Sequence, residues 1–226
     1  FIGNVEPSTR SVSTALNANL ASLFTGGAPT LTSAEIKEVN DAYAKMTSIN
    51  CYRNIDEAVR NKTSYAGTIF LDDTYASAYF RKGSLAFPPY GILASSMEHE
   101  FIHMYQRDVQ GKKVDTDKEK RDTGMMEFEL AFYQGIIRYI HAGYSWTFKG
   151  EDGDPSYQSL WTSGLTDPSL IPQYEREFQT YVASICANGK PTSIDINEFV
   201  KWSNIFGEYS RGYSGKGYKF GNYYFF

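Results

Sequence analysis

The pattern of hydrophobic and polar positions divides the chain into helical segments on either side of a short β-prone stretch. The clearest helix start is Thr32-x-x-Glu35, because a threonine followed three residues later by a glutamate forms a capping box. Gly26-Gly27 ends a shorter helical pattern before it, and Gly143 ends a later one. The helices predicted in this way span residues 12–24, 32–46, 55–60, 92–110, 123–143, 172–187 and 195–206.

Between residues 67 and 87 the pattern changes to short apolar and aromatic runs separated by turn residues. The runs cover residues 67–71, 78–80 and 85–87. Runs of this length and composition are typical of β-strands. We therefore expect a small sheet immediately before the helix at 92–110, in an α+β fold whose remainder is mostly helical.

The helix predicted over residues 92–110 has well-defined ends and two different faces. Pro88-Pro89-Tyr90-Gly91 interrupts the chain before it, and Gly111 follows its last residues. One face is apolar and should pack in a core, whereas the opposite face carries two closely spaced histidines. The residues of the apolar face are Leu93, Ala94, Met97, Phe101 and Met104.

The other face contains the sequence His-Glu-x-x-His at His99, Glu100 and His103. Residues four apart share one face of an α-helix, so both imidazoles can turn a ring nitrogen to the same metal ion. Glu100 lies about 100° further round the helix, beside such an ion and free to act as a base. The chain has only 3 histidines, and two of them form this pair. Since zinc peptidases use this spacing to activate water, it predicts one Zn²⁺ per chain.

The third ligand should come from the next predicted helix. A catalytic zinc ion takes three protein ligands and keeps one position open for water. The helix at 123–143, with Thr123 as its expected cap, carries Glu127 and Glu129. Two residues apart, they project about 200° from one another, so only one of them can face the metal. On helical geometry alone both are candidates.

The motif and the downstream glutamate together resemble the glutamate-ligand branch of the zincin metallopeptidases, the gluzincins. The resemblance covers roughly residues 66–143. It implies a zincin-like fold, in which a small, mainly antiparallel sheet packs on the motif helix, and it implies hydrolysis of peptide bonds. Carried over by position, His99 and His103 would be zinc ligands and Glu100 the general base. The segment from Glu127 to Ala131 is similar to a ligand-bearing segment of these enzymes in which an alanine follows the glutamate, which favours Glu127 as third ligand and leaves Glu129 as the alternative.

One position departs from the family pattern. Several gluzincins place an aspartate four residues after the glutamate ligand, where it supports a zinc-bound histidine through its second ring nitrogen. Ala131 occupies that position here, so the acceptor must come from elsewhere in the chain or be a backbone carbonyl. The same resemblance implies that a peptide substrate lies as an added strand along a sheet edge within residues 78–87.

Length and composition fit a single zincin-like domain over residues 1–226. With 226 residues, 42% of them hydrophobic and 21% charged, the chain can bury a sizeable core. We divide it into a loosely held N-terminal arm at 1–31, a catalytic core at 66–143 and a helical C-terminal part at 150–226 with an aromatic tail. A net charge of -4 argues against nucleic acid, and no apolar run reaches the length of a transmembrane segment. The expected partner is a peptide or protein substrate.

The cysteines and the start of the chain bear on its compartment. Cys51 and Cys186 are the only cysteines, and they could form one disulfide, as export would favour, or be two separate buried thiols. The chain starts at Phe1, and its opening is rich in Ser, Thr and Asn. We therefore expect an exported protein, in the periplasm, at the cell surface or outside the cell.

A second class of function needs no catalysis. The chain could be a secreted binding protein on a zincin scaffold, with a structural or lost zinc ion. Ala131 and the aromatic-rich tail favour this alternative, whereas Glu100 argues against it, since a structural metal site has no use for a base. A third possibility is a carbohydrate-binding module. Only the aromatic content of 16% supports it, and this hypothesis predicts that no metal is bound.

Overall fold

The computed structural model describes residues 15–112 and 120–141, the helix at 196–206, and the separate positions 177, 180, 181 and 184. Side chains are described for 15–112, 126–137, 197–204 and the same four positions. Residues 1–14 of the arm predicted at 1–31, the aromatic tail and most of the helix predicted at 172–187 lie outside these residues. The four described positions within that helix are helical.

The described residues form a mixed α+β fold that is mostly helical, as expected. A short π-helical segment, Tyr105–Val109, directly follows the motif helix and is called the π-turn below. The other elements in chain order are α1 (Ala18–Leu23), α2 (Ser33–Thr47), α3 (Asn50–Lys62), β1 (Ile69–Leu71), β2 (Tyr79–Arg81), β3 (Ser84–Phe87), α4 (Ala94–Met104), α5 (Lys120–His141) and α6 (Ile196–Phe206).

The chain divides into two compact units. The first contains the described residues up to Ser48 together with Thr63–Glu100, and the second contains Ile49–Lys62 and the described residues from Phe101 onward. The prediction of a single domain over residues 1–226 stays a prediction. Within the described residues, none of the helices combines the length and the apolarity that crossing a membrane requires.

The sheet of the first unit has the strand order β1-β3-β2 and is mixed. Strand β2 pairs antiparallel with β3, whereas β1 pairs parallel with it. The expectation of a mainly antiparallel sheet is therefore wrong. Lys82 and Gly83 join β2 to β3 with φ of 50° and 77°, the conformation of a two-residue hairpin turn. After this reversal β3 runs in the same direction as β1, and it pairs with β1 along its other edge.

Helix starts were predicted with mixed success. The capping box at Thr32 is confirmed: Glu35 N donates to Thr32 Oγ1 at 3.3 Å, and Thr32 N donates to Glu35 Oε2 at 2.6 Å. Helix α3 is longer than the predicted 55–60. Helix α5 already includes Lys120, so Thr123 lies inside the helix and is not its cap. Lys and Arg are good helix formers, and residues of these types precede Thr123 in the helix.

The motif helix agrees with the prediction in its core face and differs at its ends. Helix α4 begins at Ala94 and continues as the π-turn, and Gly111 follows with φ of 70°. Met97, Phe101 and Met104 are fully buried, as predicted. Leu93 is exposed instead, because it precedes the first helical turn and contributes only its carbonyl, which accepts from Met97 N at 3.1 Å.

Aromatic contacts hold α5 in place within the second unit. Tyr133 of α5 meets Tyr52 of α3 edge to face, with ring centroids 6.3 Å apart. Phe128 and Phe132 lie 5.1 Å and 5.8 Å from the ring of Phe199 in α6. Because protein interiors are closely packed, contacts between side chains of this size favour one rotation of α5 about its axis. That rotation decides where the glutamates of α5 point.

Cys51 is a buried, free thiol in the part of the chain that the structure describes. Burial raises the pKa of this thiol to about 11. Cys186 lies outside the described residues. Of the two alternatives for the cysteines, the structure therefore favours a separate thiol at Cys51. The prediction of export draws no support from this residue and stays a prediction.

Candidate metal centre

His99 and His103 lie one turn apart on α4, as the His-Glu-x-x-His spacing requires. Their side chains are 38% and 18% exposed, whereas Phe101 and Ile102 between them are fully buried. The buried pair anchors the helix in the protein interior, so the imidazoles stand on its accessible side. This part of the site follows directly from the helical period.

Glu127 comes to the same place from α5. Its carboxylate Oε1 lies 3.1 Å from Nε2 of His103, and its side chain is 32% exposed. His99, His103 and Glu127 each offer one ligand atom, and these atoms all lie within 4.8 Å of one another. Two imidazole nitrogens and one carboxylate oxygen at this separation could hold a metal ion. We call these three residues the triad.

Glu100 occupies the position next to His99. Its carboxylate Oε1 is 4.0 Å from Nε2 of His99, and its side chain is almost fully buried. It offers no ligand atom to the triad. A carboxylate that lies beside a group of ligands without belonging to it is placed as a base would be.

Glu129, the alternative third ligand, has different surroundings. It is fully buried and forms an ion pair with Nζ of Lys112. Its Oε2 also lies 3.5 Å from Nε2 of Gln106. Glu129 does not belong to the triad. The two glutamates thus differ as the helical period requires, and the structure brings only Glu127 to the histidines.

Gln106 is a residue of the site that the sequence did not reveal. Its Oε1 lies 2.9 Å from Nδ1 of His103, the ring nitrogen that faces away from Glu127. The amide is fully buried, and it lies in the π-turn. Ala131, where the family pattern would place an acceptor, is a buried methyl group, and Gln106 supplies the acceptor for His103 instead. The available signal was a glutamine three residues after the second histidine, a spacing at which helical side chains meet.

Comparisons of the chain with models of protein families, with curated proteins and with solved structures found no match.

Proposed function

We propose that the protein is a zinc-dependent peptidase that hydrolyses bonds in peptides or proteins. The observation that carries this proposal is the triad of His99, His103 and Glu127 on two helices, with Glu100 beside it. The proposal includes a zincin-like packing of the three-stranded sheet on α4.

The donor set of the triad suits zinc. Catalytic zinc is bound by combinations of histidine and carboxylate, including two histidines and one glutamate, with bonds of about 2.0–2.2 Å. In a tetrahedral arrangement such bonds place neighbouring ligand atoms roughly 3.3 Å apart. The 3.1 Å between His103 Nε2 and Glu127 Oε1 is close to that separation. The ligand atom of His99 lies within 4.8 Å of each of the other two ligand atoms. Small side-chain movements would therefore bring all three atoms into position.

Glu100 takes the role of general base and acid. Zinc at such a site supplies Lewis acidity, which polarises a substrate carbonyl and lets a water molecule ionise near neutral pH. The carboxylate of Glu100 accepts the proton of that water as it attacks the carbonyl carbon. It then returns the proton to the amine that leaves when the peptide bond breaks. The partial exposure of His99 and Glu127 leaves the triad accessible to a substrate.

The sheet supports an extended peptide as the substrate class. Within residues 78–87, β2 lies at one edge of the three-stranded sheet, whereas β3 is its central strand. A peptide that adds a strand to such an edge gains backbone hydrogen bonds along its length. Of the segment expected to bind substrate, β2 is therefore the part that we propose for this contact.

The first test measures metal and hydrolysis in the same preparations. We expect about one zinc ion per wild-type chain by elemental analysis, and little or none in His103→Ala. Glu100→Gln should keep its zinc while its rate on a pool of labelled peptides falls by about 10²–10⁴-fold, because it loses only proton transfer. A wild-type chain that takes up no zinc at neutral pH would overturn the proposal. Zinc uptake with equal, negligible hydrolysis in wild type and Glu100→Gln would favour the binding-protein alternative.

A further inference from the structure

The side chain of Gln106 connects the two helices of the site. On one side its Oε1 meets Nδ1 of His103 at 2.9 Å. On the other side its Nε2 donates to the carbonyl of Met126 at 3.0 Å, and Oε2 of Glu129 lies at 3.5 Å. Met126 directly precedes Glu127, so this one amide contacts the histidine and the helix that carries the proposed third ligand.

The surroundings of the amide define which way it faces. An amide oxygen only accepts hydrogen bonds, and an amide nitrogen only donates them. The carbonyl of Met126 and the carboxylate of Glu129 are both acceptors, and the ion pair with Lys112 keeps that carboxylate oriented. If the amide were rotated by half a turn, its oxygen would face two acceptors and Met126 O would lose its donor. The nitrogen of the amide therefore belongs on the α5 side and its oxygen on the side of His103.

This orientation determines the tautomer of His103. Because Gln106 offers His103 only an acceptor, Nδ1 must carry the proton that forms the 2.9 Å hydrogen bond. A neutral imidazole protonated at Nδ1 keeps its lone pair on Nε2, the atom that lies 3.1 Å from Glu127. Metal ions bind the unprotonated nitrogen.

We infer that Gln106 is a positioning residue, which fixes His103 as the Nδ1-protonated tautomer and so presents Nε2 to the triad. The Glu129–Lys112 pair and the Met126 carbonyl hold the amide in the required orientation. Gln106 itself touches no reacting atom. Its role for zinc rests on the proposed function, but its control of the His103 tautomer can be measured without any metal.

The test uses nitrogen NMR of the full chain labelled at histidine with nitrogen-15, metal-free and at a pH of about 8, where imidazole is neutral. Glu127→Ala serves as the background, because Glu127 would otherwise attract a proton to the nearby Nε2. In this background we expect the chemical shifts of His103 to show the Nδ1-protonated form. Adding Gln106→Met, which keeps the side-chain volume, should make the Nε2-protonated form predominant. An unchanged tautomer, or an Nε2-protonated form already present with Gln106, would overturn the inference.

Two further variants control for folding. Gln134→Met makes the same exchange at another buried glutamine of the second unit and should leave the tautomer unchanged. Gln106→Leu also removes the acceptor for Nδ1, and its shorter side chain provides the test if Gln106→Met does not fold. It should likewise make the Nε2-protonated form predominant. An Nδ1-protonated form that persists in Gln106→Leu would also contradict the inference.

The second readout is zinc affinity in the chain that retains Glu127, measured by competition with a chelator. Gln106→Met should weaken zinc binding by about 10- to 100-fold, as loss of a histidine's hydrogen-bond partner typically does. Gln134→Met should bind zinc like the wild type. If the wild type binds no zinc while residue 106 controls the tautomer, the peptidase proposal fails and the positioning role stands. If zinc binds and the tautomer does not respond, only the positioning role fails.

Discussion

Glu127 and Glu129 lie two residues apart on α5 and have opposite surroundings. The first is partly exposed and faces the imidazole of His103, whereas the second is fully buried and forms an ion pair with Lys112. An exposed carboxylate can exchange its partners for a metal ion at little cost. A buried one is held by its partners, because an unpaired charge in the interior is strongly unfavourable. The comparison separates a carboxylate that could bind a metal ion from a carboxylate that stabilises the surrounding structure.

The largest expected effect is on the free energy of unfolding and comes from the buried ion pair of Glu129 and Lys112. Glu129→Ala removes a carboxylate that forms an ion pair with the Lys112 ammonium, whose side chain is only 13% exposed. Breaking a buried ion pair in this way should lower the free energy of unfolding by about 3–5 kcal/mol, measured by urea denaturation of the metal-free chain.

The double variant Glu129→Leu with Lys112→Met is the matched control, since it removes both charges of this ion pair. It should be clearly more stable than Glu129→Ala. A double variant as unstable as the single one would show that packing around the two side chains matters more than their charges.

The next largest effect is on the proposed zinc binding and comes from the partly exposed Glu127. Glu127→Ala should weaken zinc binding by more than about 100-fold, because losing a ligand should cost more than losing a partner of a ligand. The same change should alter the stability of the metal-free chain by less than about 1 kcal/mol, as is usual for partly exposed ion pairs. A chelator competition and a urea titration measure the two quantities. If Glu129→Ala weakened zinc binding directly while Glu127→Ala did not, the assignment of the third ligand would be wrong.

The smallest effect calibrates the comparison on a fully surface-exposed pair. Lys37 and Asp41 form an ion pair one turn apart on α2, with both side chains more than half exposed. Lys37→Ala should change the free energy of unfolding by no more than about 0.5 kcal/mol, and added salt should reduce even that difference. A loss as large as that of Glu129→Ala would mean that exposure does not separate the two classes of charge in this protein.

Features that depend on neighbours along the chain could be predicted from the sequence. The capping box at Thr32 and the pairing of His99 with His103 depend only on helical geometry over one turn. The three short strands were also located correctly, since turn residues separate them clearly. The directions of the strands were not predicted correctly, because β1 pairs in parallel with β3, and β2 lies between these two strands in the chain.

Features that depend on contacts between helices could not be predicted in the same way. The sequence showed that only one of Glu127 and Glu129 could face the histidines, but which one depends on the rotation of α5. Aromatic packing around Phe128 and Phe132 sets that rotation, and it involves residues of α6 that are distant in the chain. The position of Thr123 was misjudged for a related reason, because a helix continues wherever good helix formers extend it.

The sequence by itself determined the chemical groups of the candidate site and the placement of three of them, since His99, Glu100 and His103 share one stretch of helix. Only the tertiary structure brought Glu127 to His103 and enclosed Glu129 with Lys112. It also placed Gln106 between His103 and the Met126 carbonyl. The physical reason is that a helix fixes the spacing of its own side chains through backbone hydrogen bonds. The distance and rotation between two helices depend on how all of their side chains pack.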